Sequence, residues 1–195
     1  MTHWMHRLLL RGSLLGLLLA APLLRAAEPL IEHRTEVAAS PAELWQAWTT
    51  REGLRSFFAP DARIDPRPGG LFEIHFNPYM PEGQRGADGL RLLALQPEQM
   101  LSFEWNAPPH LPEVRAQRTV VIVRFEALGE GRTRVTLSHL GWGSGGQWDE
   151  ARAYFGKAWS FVLGNLNRRF AEAKPIDWTP WLARLKAEAE RAAKS

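Results

Sequence analysis

The sequence predicts one α+β domain in which a twisted antiparallel sheet curls around a single long C-terminal helix, and three observations carry that expectation. Val121, Val123 and Phe125 fall on alternate positions of one apolar run and Val135, Leu137 and His139 on alternate positions of another, and Gly129-Glu130-Gly131 lies between the two runs. Apolar residues at every second position on both sides of a glycine-rich turn are the pattern of a hairpin with one buried face. After a second glycine-rich break, Trp148, Phe155, Trp159, Val162, Leu166 and Phe170 recur at helical spacing and form one apolar stripe. A stripe that long and aromatic needs a concave partner, and the remaining segments before it read as strands able to supply one.

Taken in order, the chain opens with a leader. Met1 to Arg7 is basic, Leu8 to Ala20 is dominated by leucine, and Ala20-Ala21-Pro22 and Leu24-Arg25-Ala26-Ala27 offer small residues for cleavage. This is the layout of a secretory signal peptide over residues 1–26, cut near Ala26 or Ala27, and it predicts a periplasmic or secreted protein. Arg11 and Arg25 leave an uncleaved membrane anchor as the alternative, although the uninterrupted apolar run is short for a bilayer. The domain then occupies residues 28–174. Ile31, His33, Thr35 and Val37 alternate with Glu32, Arg34 and Glu36 as a half-buried strand. Ser40-Pro41-Ala42-Glu43 starts a helix, because Ser40 can cap, Pro41 suits the first helical position and Glu43 can close a capping box. A second short helix, residues 51 to 58, stops before Pro60.

Pro66 to Gly70 is a turn, and Phe72, Ile74 and Phe76 then alternate with Leu71, Glu73 and His75, of which Glu73 is expected to face solvent. Residues 77 to 87 form a loop, 90 to 96 a strand, and Leu101, Phe103 and Trp105 the inward positions of the next, in which Glu104 faces outward. Residues 106 to 116, with three prolines, are a second loop before the hairpin and the long helix. Pro175 ends that helix, and residues 175–195 add a segment containing Trp178 and Trp181 with a last short helix. The order is strand, two helices, six strands, long helix and tail.

Composition removes several function classes. Arg7, Arg11 and Arg25 lie in the leader, so the mature chain carries 21 Lys+Arg against 21 Asp+Glu. No basic stripe interleaved with aromatics points to nucleic acid. There is no cysteine, which excludes disulfides, a thiol nucleophile and thiolate metal sites together. Eight of the nine tryptophans follow the leader. They provide either a heavy core or a pocket lined for an apolar or ring-bearing ligand.

The phrases AASPAELWQAWTT at Ala38 to Thr50, PGGLFEI at Pro68 to Ile74 and FEALGEGRTRVTLSHLGW at Phe125 to Trp142 resemble the activator-of-Hsp90-ATPase-like branch of the START-like superfamily, and Trp148 and the helix behind it resemble that branch's C-terminal helix. The resemblance runs from about Leu30 to Ala173. It implies the START-like, Bet v 1-like helix-grip fold, a seven-stranded antiparallel sheet around the long helix, with the first and last strands adjacent. It implies no catalytic motif, and fold alone does not carry function. Hsp90 and its ATP are cytosolic while this chain carries an export leader, so no Hsp90 partner is expected.

On the implied fold, His33 and His139 share a face of neighbouring strands, where two neutral imidazoles could orient a ligand or serve as acid or base. The preferred reading is plainer: each is a core histidine bonded to backbone or another side chain. A third histidine for a metal is missing, since His75 has the opposite parity and His110 lies in a proline-rich loop, so neither metal nor cofactor is expected. Ser138 points away from His139, which excludes a Ser/His nucleophile pair. Gly141 to Gly146 lacks the lysine of a phosphate loop and reads as a flexible mouth, with Trp142 either a lid over a cavity or a plug of the core.

Three functions follow. The first is an exported binding protein that holds a small apolar or amphipathic molecule between sheet and helix, with Phe72, Ile74, Phe76, Phe103, Trp105, Phe155 and Trp159 lining the site and His33, His139 and Trp142 as further contacts. The second is a pocket enzyme using His139 and His33. The third is an interaction protein with a packed core, whose Trp178 and Trp181 tail docks on a partner or on the domain itself.

Overall fold

A computed structural model describes residues 30–192, so the leader and its cleavage site lie outside the described residues. The hairpin is the spine of the sheet. β7 (Thr119–Gly129) and β8 (Arg132–Leu140) pair with Val121 opposite His139, Val123 opposite Leu137 and Phe125 opposite Val135, and all six side chains are buried. The period-two pattern thus faces one way from both strands. The turn holds Gly129, Glu130 and Gly131 at φ of 82°, 53° and 69°, a left-handed run that glycine enters without a steric penalty. β1 (Ile31–Val37) pairs antiparallel with β8, which makes the first and last strands neighbours.

β6 (Met100–Trp105) and β5 (Leu92–Gln96) complete a five-stranded antiparallel sheet in the order β1-β8-β7-β6-β5. A second, three-stranded sheet contains β2 (Asp61–Ile64), β3 (Phe72–His75) and β4 (Gly86–Ala87). The expected single sheet of seven strands is therefore corrected to five plus three. Its continuity breaks at β5, where the register shifts between Leu92 and Ala94. Backbone bonds at the edge bridge the gap: Gly69 N–H to Leu92 O at 2.8 Å, Leu92 N–H to Gly70 O at 2.9 Å and Phe72 N–H to Leu90 O at 2.8 Å. Such irregularity bends a sheet, which is how it curls around a helix.

Two strand assignments change for the same reason. β3 is covered on both faces, so Glu73, expected in solvent, and His75, of the same parity, are buried. Glu73 accepts the Gly89 N–H at 2.8 Å and lies 3.6 Å from Arg63 and 3.5 Å from His75, which compensates its burial. Glu104 is half-buried and accepts the Arg91 N–H at 3.1 Å. The loop expected at 106 to 116 contains one helical turn, α3 (Pro112–Arg115), with Pro at its start, where the missing N–H costs nothing.

The helices follow their local signals. α1 (Pro41–Thr49) begins with a complete capping box, Glu43 N–H to Ser40 Oγ at 3.3 Å and Ser40 N–H to Glu43 Oε2 at 2.8 Å. α2 (Arg51–Phe57) is capped by Thr50. α4 (Gln147–Ala171) buries Ala151, Phe155, Trp159, Val162, Leu163 and Leu166 along one side, while Trp148 and Phe170 at the ends of the predicted stripe are only half-buried. Each large side chain so buried contributes on the order of 2 kcal/mol. α5 (Thr179–Ala192) is the last element. Its lead-in folds back on the domain: Ile176 N–H bonds Ser56 O at 2.8 Å, Trp178 Nε1 donates to Arg55 O at 2.6 Å, and Trp181 Nε1 donates to Phe76 O at 2.8 Å. No helix among the described residues is long and apolar enough to cross a membrane.

Candidate functional site

Between the open end of the sheets and α4 lies a cleft of about 820 Å3. Its floor is aromatic. Trp105 at the end of β6 and Trp159 on α4 meet at 5.1 Å between ring centroids, and Phe58 packs on both at 5.8 and 6.0 Å. Phe155 and Val162 continue the α4 side. Phe76 and the β4 residues Gly86 and Ala87 form the opposite wall, and Asn106 to His110 form the end. The cleft opens to solvent past Met80, Tyr154 and Phe161, three apolar side chains exposed at its mouth. Trp181 closes part of that opening from the tail, with the Arg184 guanidinium 4.5 Å from its ring centroid.

One half-buried cation holds the loop wall in place. Arg115 on α3 donates to the carbonyls of Ala107 and Gly83, and to Gly86 O at 3.0 Å, with Asp88 Oδ2 3.6 Å away. Asp88 in turn accepts the N–H groups of Gly83 at 3.2 Å and Gly86 at 3.0 Å. The two loops that bound the cleft are thereby tied to one guanidinium, whose planar fork suits several acceptors at once. Burial pulls the Arg115 pKa below its ordinary value, and the Asp88 carboxylate opposes that shift. Gly86 is required by close approach, since a Cβ there would stand 2.3 Å from Ile74 O.

Of the ten residues assigned to the site from sequence, Phe76, Trp105, Phe155 and Trp159 line the cleft. Phe72, Ile74 and Phe103 are fully buried behind it, with Phe72 and Phe103 stacked at 4.3 Å. Trp142 is half-buried, 4.2 Å from the His139 ring and 5.8 Å from Phe155, and donates its indole N–H to His139 O at 2.8 Å. It plugs the core beside the cleft. His33 sits at the side of the sheet with Nδ1 3.4 Å from Ser160 Oγ, outside the cleft lining.

His139 is part of a closed relay. Trp159 Nε1 donates to His139 Nδ1 at 3.0 Å, which fixes the proton on Nε2, and Nε2 donates to Thr119 Oγ1 at 2.7 Å. The Thr119 hydroxyl donates onward to Trp105 O at 3.2 Å. Both ring nitrogens are used, and burial pushes the His139 pKa down to about 3. The imidazole is neutral and inaccessible, a packing and orienting group. The histidine that does line the cleft is His110, in contact with the Tyr154 ring at 5.9 Å.

Phe58, the loop from Asn106, Tyr154 and the tail's Trp181 are the parts of the wall that sequence reasoning missed. Phe58 had a visible signal as the second of two adjacent phenylalanines at a helix end. Trp181 had a weaker one in its apolar bulk beyond a helix-breaking proline.

Residues 38–171 match the family described as activator of Hsp90 ATPase homolog 1-like protein. No curated protein matches the chain. Among solved structures, the chain is similar to the Aha1 dimer from Colwellia psychrerythraea, at 22% identity over 73% of this chain and 96% of that one, with a TM-score of 0.56. It is also similar to CalU16 from Micromonospora echinospora, at 21% identity over 84% of each chain and a TM-score of 0.55. PFC0360w from Plasmodium falciparum, described as an HSP90 activator, matches at 18% identity over 75% of this chain and 97% of that one, with a TM-score of 0.54. At these identities the likeness establishes the fold.

Proposed function

Because the chain belongs to the activator of Hsp90 ATPase homolog 1-like family, whose fold frames the cleft, we propose that it is an exported binding protein that holds a small apolar or amphipathic molecule there. The observation that supports this most directly is the cleft itself: about 820 Å3 of space floored by Trp105, Trp159 and Phe58 and open past exposed apolar side chains. Small-molecule sites are concave, mostly apolar and about 300–1,000 Å3 in volume, with a few placed polar groups.

Export rests on residues 1–26 and on a cysteine-free composition that needs no oxidative folding. It separates this chain from cytosolic ATP-dependent chaperone chemistry, and we assign Hsp90 no part in its function. Acid–base catalysis by His139 and His33 gains no support, because neither lines the cleft and His139 is held neutral by burial.

The test is native mass spectrometry of the protein purified from its own host, compared with the denatured mass. A mass excess lost on denaturation is expected, and its fragmentation would identify the ligand. A bare mass, together with an unchanged melting temperature across a panel of apolar and amphipathic compounds, would refute the binding function.

A further inference from the structure

We propose that the cleft recognises a carbonyl oxygen on its ligand through the side-chain amide of Asn106 and the indole N–H of Trp105, so that the ligand is an apolar ketone, ester or amide. The inference rests on the binding reading above and specifies its chemistry. Five indoles lie in or beside this region, and four of them have acceptors. Trp159 donates to His139 Nδ1, Trp142 to His139 O, Trp178 to Arg55 O and Trp181 to Phe76 O. Trp105 lines the cleft, is 3% exposed, and its Nε1 has no hydrogen-bond partner among the described residues.

The only other indole nitrogen in that condition among the described residues, Trp48 Nε1, belongs to a fully buried side chain that does not line the cleft. Buried donors are ordinarily satisfied, so an orphan beside a cleft calls for an explanation, and a ligand acceptor would supply one. Asn106 follows Trp105 directly, where β6 gives way to the loop. It is 7% exposed, lines the same cleft, and its amide makes no protein hydrogen bond among the described residues.

The two residues differ in capacity in a way that narrows the ligand. An indole can only donate, whereas an amide can donate or accept. The atom that both can serve is an oxygen with two lone pairs. A neutral carbonyl fits better than a carboxylate, because a buried charge needs a compensating one. Of the cations about the cleft, Arg115 faces Asp88 at 3.6 Å, Arg85 faces Glu82 at 3.7 Å, and Lys157 is exposed to solvent. The rings of Trp105, Trp159 and Phe58 would flank the rest of the molecule, which is therefore apolar and favourably flat.

The test uses 9-fluorenone and fluorene, two flat probes of nearly the same shape of which only the first carries a carbonyl, with fluorene-9-carboxylate as the charged comparison. Dissociation constants are measured for the mature protein and for Asn106→Leu and Trp105→Phe. Fluorenone is expected to bind about tenfold tighter than fluorene, the ratio falling toward one in each variant. In the unaltered protein, fluorenone should also move the Trp105 indole proton downfield in 15N-resolved spectra while fluorene does not, a readout that survives if a variant fails to fold. Equal binding of the two with an unmoved indole signal would overturn this inference and leave the cleft a ligand site. Tighter binding of the carboxylate than of fluorenone would overturn the neutral carbonyl. Binding of none of the three would count against the cleft as a ligand site and against this inference with it.

Discussion

Trp159 Nε1 lies 3.0 Å from His139 Nδ1, and this bond joins the floor of the cleft to the centre of the main sheet. One end of the bond is a ring that lines the cleft and the other a neutral histidine buried on β8, so the indole is anchored to the core through an unprotonated Nδ1.

The pH dependence follows from that. His139 has a folded pKa of about 3 and an ordinary value of 6.5, so the unfolded chain binds the proton more readily than the fold does. Stability is therefore full above pH 6.5 and falls as pH drops toward 3, by up to about 1.4 kcal/mol per pH unit from this group. Urea denaturation from pH 7 to pH 4 should show the loss, and His139→Leu should flatten it. Equal pH slopes in the two proteins would refute the assignment.

Trp159→Phe keeps most of the packing and removes the donor to His139 Nδ1. It should cost about 1–3 kcal/mol by leaving a buried acceptor unpaired. The His139 ring nitrogens, followed by 15N NMR, should lose the fixed tautomer, and an unchanged pattern would show that the indole does not set it.

Arg115→Lys removes the planar fork while keeping the charge. The loops at 83–88 and 106–109 should loosen, with faster amide exchange at Gly83 and Gly86 and a stability loss of about 2 kcal/mol from partly orphaned buried acceptors. Exchange rates equal to those of the unaltered protein would mean that Asp88 alone holds the wall.

Ala158→Trp introduces bulk on the α4 side of the cleft, where Ala158 is half-buried. Ligand or probe binding should fall by about tenfold or more while the melting temperature moves by only a few degrees, because the new ring enters open space and does not crowd a packed core. Undiminished binding would place the ligand elsewhere.

Removing residues 175–195 takes away Trp181 and the three hydrogen bonds to Ser56, Arg55 and Phe76. Release of a bound probe such as 9-fluorenone should become several times faster, measured by stopped-flow fluorescence, since the mouth loses one wall. Trp181→Ala alone should reproduce most of the effect, and unchanged release in both would leave the tail a purely structural strap.

Several of these features are legible in the amino-acid order alone. The capping box at Ser40 and Glu43, the hairpin and the apolar stripe of α4 are local signals, each set by neighbours a few residues away, and each element forms where its pattern lies. β1 and β8 pair, the adjacency that the family resemblance implies, and their register sets Ile31 opposite His139. β2 and β4 leave no such trace, because four residues and two residues are too few for alternation to register. Glu73 misleads because parity marks a solvent face only when one side of a sheet is bare, and at β3 both are covered.

The sequence by itself determined the α+β class, the family, the aromatic richness of the interior and the positions of Trp105 and Trp159 on inward faces, because periodicity and turn chemistry are local properties. Only the tertiary structure decided which aromatics are floor and which are core, that His139 is spent on Trp159 and Thr119, that Arg115 ties two loops together, and that the tail turns back over the cleft. Those outcomes depend on which surfaces meet across sequence separations of tens to more than a hundred residues. Burial, the state of a buried imidazole and an unmet indole donor all follow from such meetings, so no local pattern encodes them.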